Sequence, residues 1–202
     1  MPEHAPARIA GLVLAGGRSA RFGSDKALAD FRGRPLALWS LGALRPHVAA
    51  LGVSGQGALA TALGVEAVPD PPGAPDGPLA GLISGLAWAA RHGCALLATA
   101  PCDTPFLPPD LVPHLLAALG DRPVVAARAA RVHALCALWR ADAAPALTTL
   151  VRVGKQLSMQ ALIDQLGGGY ARFPDEAAFA NLNTRAEFAA AEPRPLDGGG
   201  AG

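Results

Sequence analysis

The stretch Arg8-Ile9-Ala10-Gly11-Leu12-Val13-Leu14-Ala15 runs without a break into Gly16-Gly17-Arg18-Ser19-Ala20-Arg21-Phe22-Gly23-Ser24-Asp25-Lys26, and its reading decides the fold. Arg8–Ala15 is a strand-like apolar run that ends in glycines. Glycines let the backbone approach a ligand closely and accept positive φ. Successive exposed amides in such a turn form an anion-binding nest. Arg18, Arg21 and Lys26 add three cations within nine residues. The spacing is neither Gly-x-Gly-x-x-Gly nor Gly-x-x-x-x-Gly-Lys-Ser/Thr, so neither a dinucleotide fingerprint nor a P-loop follows. From the residues alone, an anion cradle and a solvated surface loop both stay open.

Outward from this stretch, short apolar runs alternate with amphipathic ones. Pro35–Leu44 reads as a helix with proline in its first turn. Val48–Val53 and Val65–Val68 read as short strands. Pro78–Arg91 is a helix, because Leu79, Leu82, Ile83 and Leu86 recur at helical spacing. Cys94–Thr99 is continuously apolar, as in a strand buried on both faces. Pro108–Leu119 reads as a helix, and Val124–Ala127 and Val132–Trp139 as strands. This alternation predicts one α/β domain with a Rossmann-like, mostly parallel sheet and helices on both faces. Residues 1–192 would form the domain, Arg131–Gly169 a subregion over one side, and 193–202 a disordered tail rich in Gly and Pro. Ligands of such sheets bind beyond the carboxyl ends of the strands, and the unusual residues follow the strands.

The bulk properties exclude several classes. The chain has 202 residues, of which 51% are hydrophobic and 16% charged, so it can bury a core and is no disordered chain. A net charge of +1 without a basic run leaves no nucleic-acid footprint. Pro46–Val65 lacks charge but contains four glycines, a proline and a histidine, which argues against a membrane span. The N-terminus has no signal-peptide core. Cys94, Cys102 and Cys136 form neither a Cys-x-x-Cys pair nor an even set. They read as free thiols in a reducing compartment, and the expected location is cytoplasmic.

Three more segments hold candidate chemistry. Asp70 and Asp76 stand in the loop before Pro78, where Asp serves equally as a turn or capping residue. Asp103, in Pro101-Cys102-Asp103-Thr104-Pro105, lies just past the buried strand. An aspartate there can hold Mg²⁺, which favours one or two carboxylates plus waters and substrate phosphates. Capping of a following helix is the alternative. Asn181 and Asn183, two residues apart on an extended chain, would point the same way, while Asn183 or Thr184 could cap the helix Arg185–Ala191. His133 is a lone histidine in a strand, more often structural than a ligand.

Leu14–Lys26 resembles the nucleotidyltransferase signature Leu-Ala-Gly-Gly-x-Ser-x-Arg-Phe/Met-Gly-x-Asp-Lys, and within that superfamily it is most similar to the molybdenum cofactor guanylyltransferases. Asp70 followed by Gly77-Pro78-Leu79-Ala80-Gly81, the Cys102-Asp103-x-Pro105 run, and Asn181-x-Asn183-Thr184 match further family segments, so the resemblance covers roughly Ile9 to Ala191. It implies transfer of GMP from GTP to a molybdopterin-type cofactor with release of pyrophosphate. Lys26 and Arg21 would neutralise the triphosphate, Mg²⁺ on Asp103 would clamp it, and the Leu14, Ala15, Gly16 and Gly17 backbone would hold guanine and phosphates. Gly16 points to guanine, since CTP-using relatives carry alanine there, with Ser54 or Asp70 as deeper alternatives for base contact. Asp70 would help hold the nucleotide or its ribose, and Asn181 and Asn183 would reach the metal or pterin region. The implied partners are GTP, the molybdenum cofactor, and molybdoenzymes or their chaperones, with neither nucleic acid nor membrane. One departure is Gly154–Gln160, where only Lys155 is basic and relatives carry arginines. Other readings are a cytidylyl- or sugar-phosphate nucleotidylyltransferase, or a nucleotide-binding assembly partner that has lost catalysis.

Overall fold

The computed structural model describes residues 7–15, 26–55, 57–71, 77–152 and 157–191. The alternating apolar runs form a seven-stranded sheet. Its strands are β1 (Ile9–Leu14), β4 (Ala50–Ser54), β5 (Glu66–Val68), β6 (Leu96–Pro101), β7 (Val124–Arg128), β8 (Val132–Arg140) and β9 (Gly169–Arg172). The spatial order is β5-β4-β1-β6-β8-β7-β9. A two-stranded hairpin, β2 (Asp30–Phe31) with β3 (Arg34–Pro35), stands apart. The helices are α1 (Ala37–Leu44), α2 (Gly57–Leu63), α3 (Pro78–Arg91), α4 (Leu111–Leu119), α5 (Ala144–Arg152), α6 (Met159–Gln165) and α7 (Arg185–Ala191).

The period-2 alternation of the strands divides the core into two layers. Ile9, Val13, Ala98, Ala100, Val125 and Leu138 face α1, α2 and α4, which contribute Leu41, Leu44, Leu59, Leu63, Leu111 and Leu115. Ala10, Leu12, Leu14, Leu97, Ala126 and Trp139 face α3, α5 and α6, which contribute Leu82, Leu86, Leu147, Leu162 and Ile163. Every residue of β1 and β6 is buried, which explains why both read as continuous apolar runs. Helix α3 approaches the sheet closely at Gly85, where a Cβ would lie 2.5 Å from Leu12 Cδ2. Gly77, at φ 111°, turns the chain into α3 with Pro78 at the first helical position.

Helix α3 starts and stops where its periodicity predicts, and α7 spans the residues expected after the cap at Thr184. Helix α1 begins at Ala37, because Arg34–Pro35 pairs with Asp30–Phe31 instead. Helix α4 begins at Leu111, after a turn over Pro108 and Pro109. The expectation of a subregion over Arg131–Gly169 is corrected. Its strand β8 lies inside the sheet, antiparallel to both β6 and β7, and its helices α5 and α6 join α3 on one face. Three residues separate β7 from β8, too few for a parallel crossover, so a hairpin is forced.

Strand order fixes where a ligand can lie. The chain moves outward from β1 through β4 to β5 and then returns to place β6 on the other side of β1. The strands β1, β4, β5 and β6 are parallel. The connections leaving β1 and β6 therefore diverge to opposite sides, and a crevice opens beyond their carboxyl ends.

Candidate active site

Leu14 pairs with Pro101 at the ends of β1 and β6, and the Cys102 amide donates to the Leu14 carbonyl at 3.1 Å. This bond carries the β1–β6 ladder one residue past the sheet and sets Asp103 at the mouth of the crevice. The Ala15 amide donates to Ser54 Oγ at 3.0 Å, and Ser54 is buried at the end of β4. Ser54 thereby holds the first residue of the glycine-rich loop. Its hydroxyl is thus engaged with the backbone at the carboxyl end of β1. Gly81 makes that approach possible: a Cβ there would sit 3.0 Å from both Leu14 Cδ2 and Ser54 Cβ.

Lys26 returns the chain from the glycine-rich loop. Its ammonium donates to Asp103 Oδ2 at 2.6 Å and to Asn183 Oδ1 at 2.6 Å. The side chains of Lys26 and Asp103 are only 11% and 16% exposed, which makes this a charge-assisted pair largely shielded from water. The single Thr104 hydroxyl proton is shared between Asn181 Oδ1 at 3.1 Å and, more weakly, the other Asp103 oxygen at 3.4 Å. The Leu182 amide donates to the Asp103 carbonyl at 2.9 Å. Buried Leu182 separates the two asparagines, so both side chains of the extended segment reach the Asp103 loop.

Local capping locks that segment. Thr184 Oγ1 accepts from the Glu187 amide at 3.2 Å, while the Glu187 carboxylate accepts from the amides of Asn183 and Thr184. This reciprocal capping box at the start of α7 fixes Asn183 beside Lys26. Of the two capping candidates, Thr184 is the one that caps, while Asn183 Oδ1 accepts from Lys26.

Asp70 follows β5 at the same edge of the sheet and is exposed, and partial desolvation raises its carboxyl above the usual range. Among the described residues no side-chain hydrogen bond joins it to the Lys26 cluster. His133 is a residue whose surroundings the sequence does not reveal. Its Nε2 lies 3.1 Å from Glu176 Oε2, and its ring stacks on Phe179 at 4.4 Å between centroids. Glu176 also accepts from the Ala130 amide at 3.0 Å and pairs with Arg131 Nε at 2.8 Å. Partial burial pushes the Glu176 carboxyl up. The His133 hydrogen bond and the Arg131 and Ala130 amides outweigh this and hold it below its usual range. Buried Cys136 is raised by desolvation and then by the negative charge of Asp103, so it is an inert thiol. Cys94 and Cys136 are buried free thiols. Gly16, Gly17, Arg18, Arg21, Asp76 and Lys155 lie outside the described residues.

The donor set suits a hard cation. Asp103 and the two asparagines offer oxygen ligands, and no histidine or thiolate joins them. Among the described residues there is no group of three or more His, Cys, Asp or Glu that could hold a metal by itself. One carboxylate with amide oxygens is a donor set to which substrate phosphates could add the remaining oxygen ligands of a hard divalent cation.

A lysine and an aspartate that meet where two parallel strands end at a topological switch point are the kind of site a nucleotidyltransferase uses. Comparison with known proteins gives the same class: residues 11–168 match the family described as MobA-like NTP transferase domain, and the chain belongs to it. It is 42% identical over 188 residues to a molybdenum cofactor guanylyltransferase of Cereibacter sphaeroides, covering 92% of this chain and 96% of that one. It is 41% identical over 192 residues to the protein of that name from Rhodobacter capsulatus, covering 93% and 96%. Among solved structures, the molybdopterin-guanine dinucleotide biosynthesis protein A of Archaeoglobus fulgidus superposes with a TM-score of 0.70 at 22% identity, covering 91% and 96%. A 4-diphosphocytidyl-2C-methyl-D-erythritol synthase from Anaerococcus prevotii has the same TM-score, 0.70, at 11% identity over 92% and 95%. Likenesses this remote speak for the fold alone. No helix among the described residues is long and apolar enough to cross a membrane.

Proposed function

We propose that this chain transfers GMP from GTP to the terminal phosphate of a molybdopterin-type molybdenum cofactor and releases pyrophosphate. The observation that carries the reading is the convergence of Lys26, Asp103 and Asn183, far apart in sequence, on one point at the β1/β6 crevice. The names of the relatives supply the base and the acceptor. Gly16 adds support for guanine.

An acceptor phosphate oxygen attacks the α-phosphorus of GTP. A new P–O bond forms there as the bond from the α-phosphorus to the bridging oxygen breaks, and pyrophosphate leaves. The attacking oxygen is already anionic, so no side chain must remove a proton. The protein's contribution is alignment and charge. The Lys26 ammonium, held by Asp103 and Asn183 at 2.6 Å each, would exchange one of these acceptors for a phosphate oxygen when the triphosphate binds. Arg21 adds a second cation, and the Leu14–Gly17 backbone cradles guanine and phosphates. Asp103, with Asn181 and Asn183 beside it, would hold Mg²⁺, which when bound neutralises charge on the triphosphate. Asp70 approaches the ribose from β5. A cytoplasmic location and delivery of the product to a molybdoenzyme or its chaperone accord with this chemistry.

The test is pyrophosphate release with Mg²⁺, molybdopterin and GTP, CTP or UTP in competition. GTP should be preferred. Preference for CTP refutes the guanylyl reading. No release with any nucleotide refutes catalysis and favours a nucleotide-binding assembly role.

A further inference from the structure

A small apolar cluster separate from the two core layers underlies the active site. It is built from Phe31, Leu36, Leu182 and Ala191, with Trp39, Phe106 and Phe188 packed against them. Phe31, at 1% exposure, stands in its middle. The Phe31 ring meets Phe106 at 5.9 Å and 88°, Phe188 at 5.7 Å and 88°, and Trp39 at 5.8 Å and 68°. All three are edge-to-face contacts, the geometry that aromatic quadrupoles favour and that fixes ring direction as well as distance. Trp39 Nε1 donates to the Phe31 carbonyl at 3.2 Å, and Arg32 Nη2 donates to the Ala191 carbonyl at the end of α7 at 2.9 Å.

The origins of these rings give the cluster its meaning. Phe31 follows Lys26 by five residues, across one turn of 3₁₀ helix (Lys26–Leu28). Phe106 follows Asp103 by three residues. Leu182 adjoins Asn183, and Phe188 stands one turn into the helix that Thr184 caps. Each chain segment that delivers a polar group to the site therefore sends an apolar side chain to the same ring.

We infer that Phe31 is a positioning residue of the transfer reaction: its ring clamps the segments bearing Lys26, Asp103 and Asn183 and sets their mutual geometry. This rests on the functional reading given above. A ring that merely fills space would be replaceable by any apolar group of similar volume, whereas a ring that orients three loops would not. Phe31→Leu keeps an apolar side chain and loses all three edge-to-face contacts.

The experiment is a double-mutant cycle read by GTP binding in the presence of Mg²⁺, with Phe31→Leu made both in the parent protein and in Lys26→Met. Phe31→Leu is expected to weaken GTP binding about tenfold in the parent and by clearly less, about threefold, in Lys26→Met, where the share of the loss carried by the misplaced ammonium is already gone and only that of Asp103 and Asn183 remains. Hydrogen exchange should quicken at the Leu36 and Leu182 amides and stay unchanged in β1 and β6. Leu119→Ala, in the main core at the far end of α4, serves as the control: it should lower the melting temperature and leave GTP affinity intact. Equal losses in both backgrounds, no loss in the parent, or a loss reproduced by Leu119→Ala would each overturn the inference. If Lys26→Met itself binds GTP normally, the reading of the site fails and the inference with it. Should Phe31→Leu not fold, Phe188→Leu carries the same expectation from the α7 side.

Discussion

Replacing Lys26 by Met removes the ammonium and keeps the buried stem, and it should move three measurable quantities in different directions. The first is stability. At 2.6 Å from Asp103 Oδ2 the ammonium gains about 6 kcal/mol of gross attraction at an effective dielectric near 20. Much of that is offset by desolvation of two side chains only 11% and 16% exposed. Asp103 retains the Thr104 hydroxyl at 3.4 Å and a path to water, so leaving it unpaired should cost about 1–3 kcal/mol. At about 2–4 °C per kcal/mol for a chain of this size, the melting temperature should fall by about 2–12 °C. The second is transfer. The cation that meets the triphosphate is lost, and kcat/KM for GTP should fall about 10²–10³-fold, the range for removal of one preorganised electrostatic partner. The third is metal affinity. Asp103 Oδ2 is no longer occupied by an ammonium, so Mg²⁺ should bind the nucleotide-free protein several-fold more tightly. Thermal melts, steady-state pyrophosphate release and calorimetric Mg²⁺ titration read the three effects. A variant with kcat/KM within threefold of the parent would refute the phosphate role of Lys26. A variant with impaired transfer but unchanged or weaker Mg²⁺ binding would refute the competition of Lys26 and metal for Asp103.

Two further perturbations test the frame around the site. Gly85→Ala places a Cβ 2.5 Å from Leu12 Cδ2 and 3.0 Å from Leu97 Cδ2, both fully buried, so overpacking should cost about 1–3 kcal/mol despite the better helix propensity of alanine; a denaturant midpoint equal to the parent's would show that α3 and the sheet part freely. Glu176 has a folded-state pKa below its unfolded one, so its contribution to stability is full above the ordinary glutamate range and is lost as the pH falls through the depressed folded value. Glu176→Gln should accordingly flatten the acid limb of the stability–pH curve and leave its slope near pH 7 unchanged, and an unchanged acid limb in chemical denaturation would remove Glu176 from that role.

Much of the architecture was legible in the sequence because it is governed by local periodicity. The spacing of Leu79, Leu82, Ile83 and Leu86 marks α3 to the residue, and the unbroken apolar runs mark β1 and β6 because both faces of those strands are covered. The glycine-rich turn after β1 and Asp103 after β6 stood out because polar and glycine residues interrupt buried strands only where the chain leaves the sheet. Thr184 and Glu187 are three residues apart, so their capping box is likewise a local signal. The hairpin β2–β3 escaped notice because two-residue strands contain no alternation to read.

Only the tertiary structure decided what meets what. Strand β8 has the same alternation whichever way it runs, and its antiparallel place between β6 and β7 follows from the three-residue link to β7 and from packing on both faces. Ser54 has no motif around it, and its bond to the Ala15 amide arises because β4 ends beside β1. Lys26 lies 77 residues from Asp103 and 157 from Asn183, and no sequence period spans such distances. Their meeting follows from the reversal of strand order at β1 and β6, which brings the ends of two distant strands together, and from the cluster around Phe31 that seats the final segment against them.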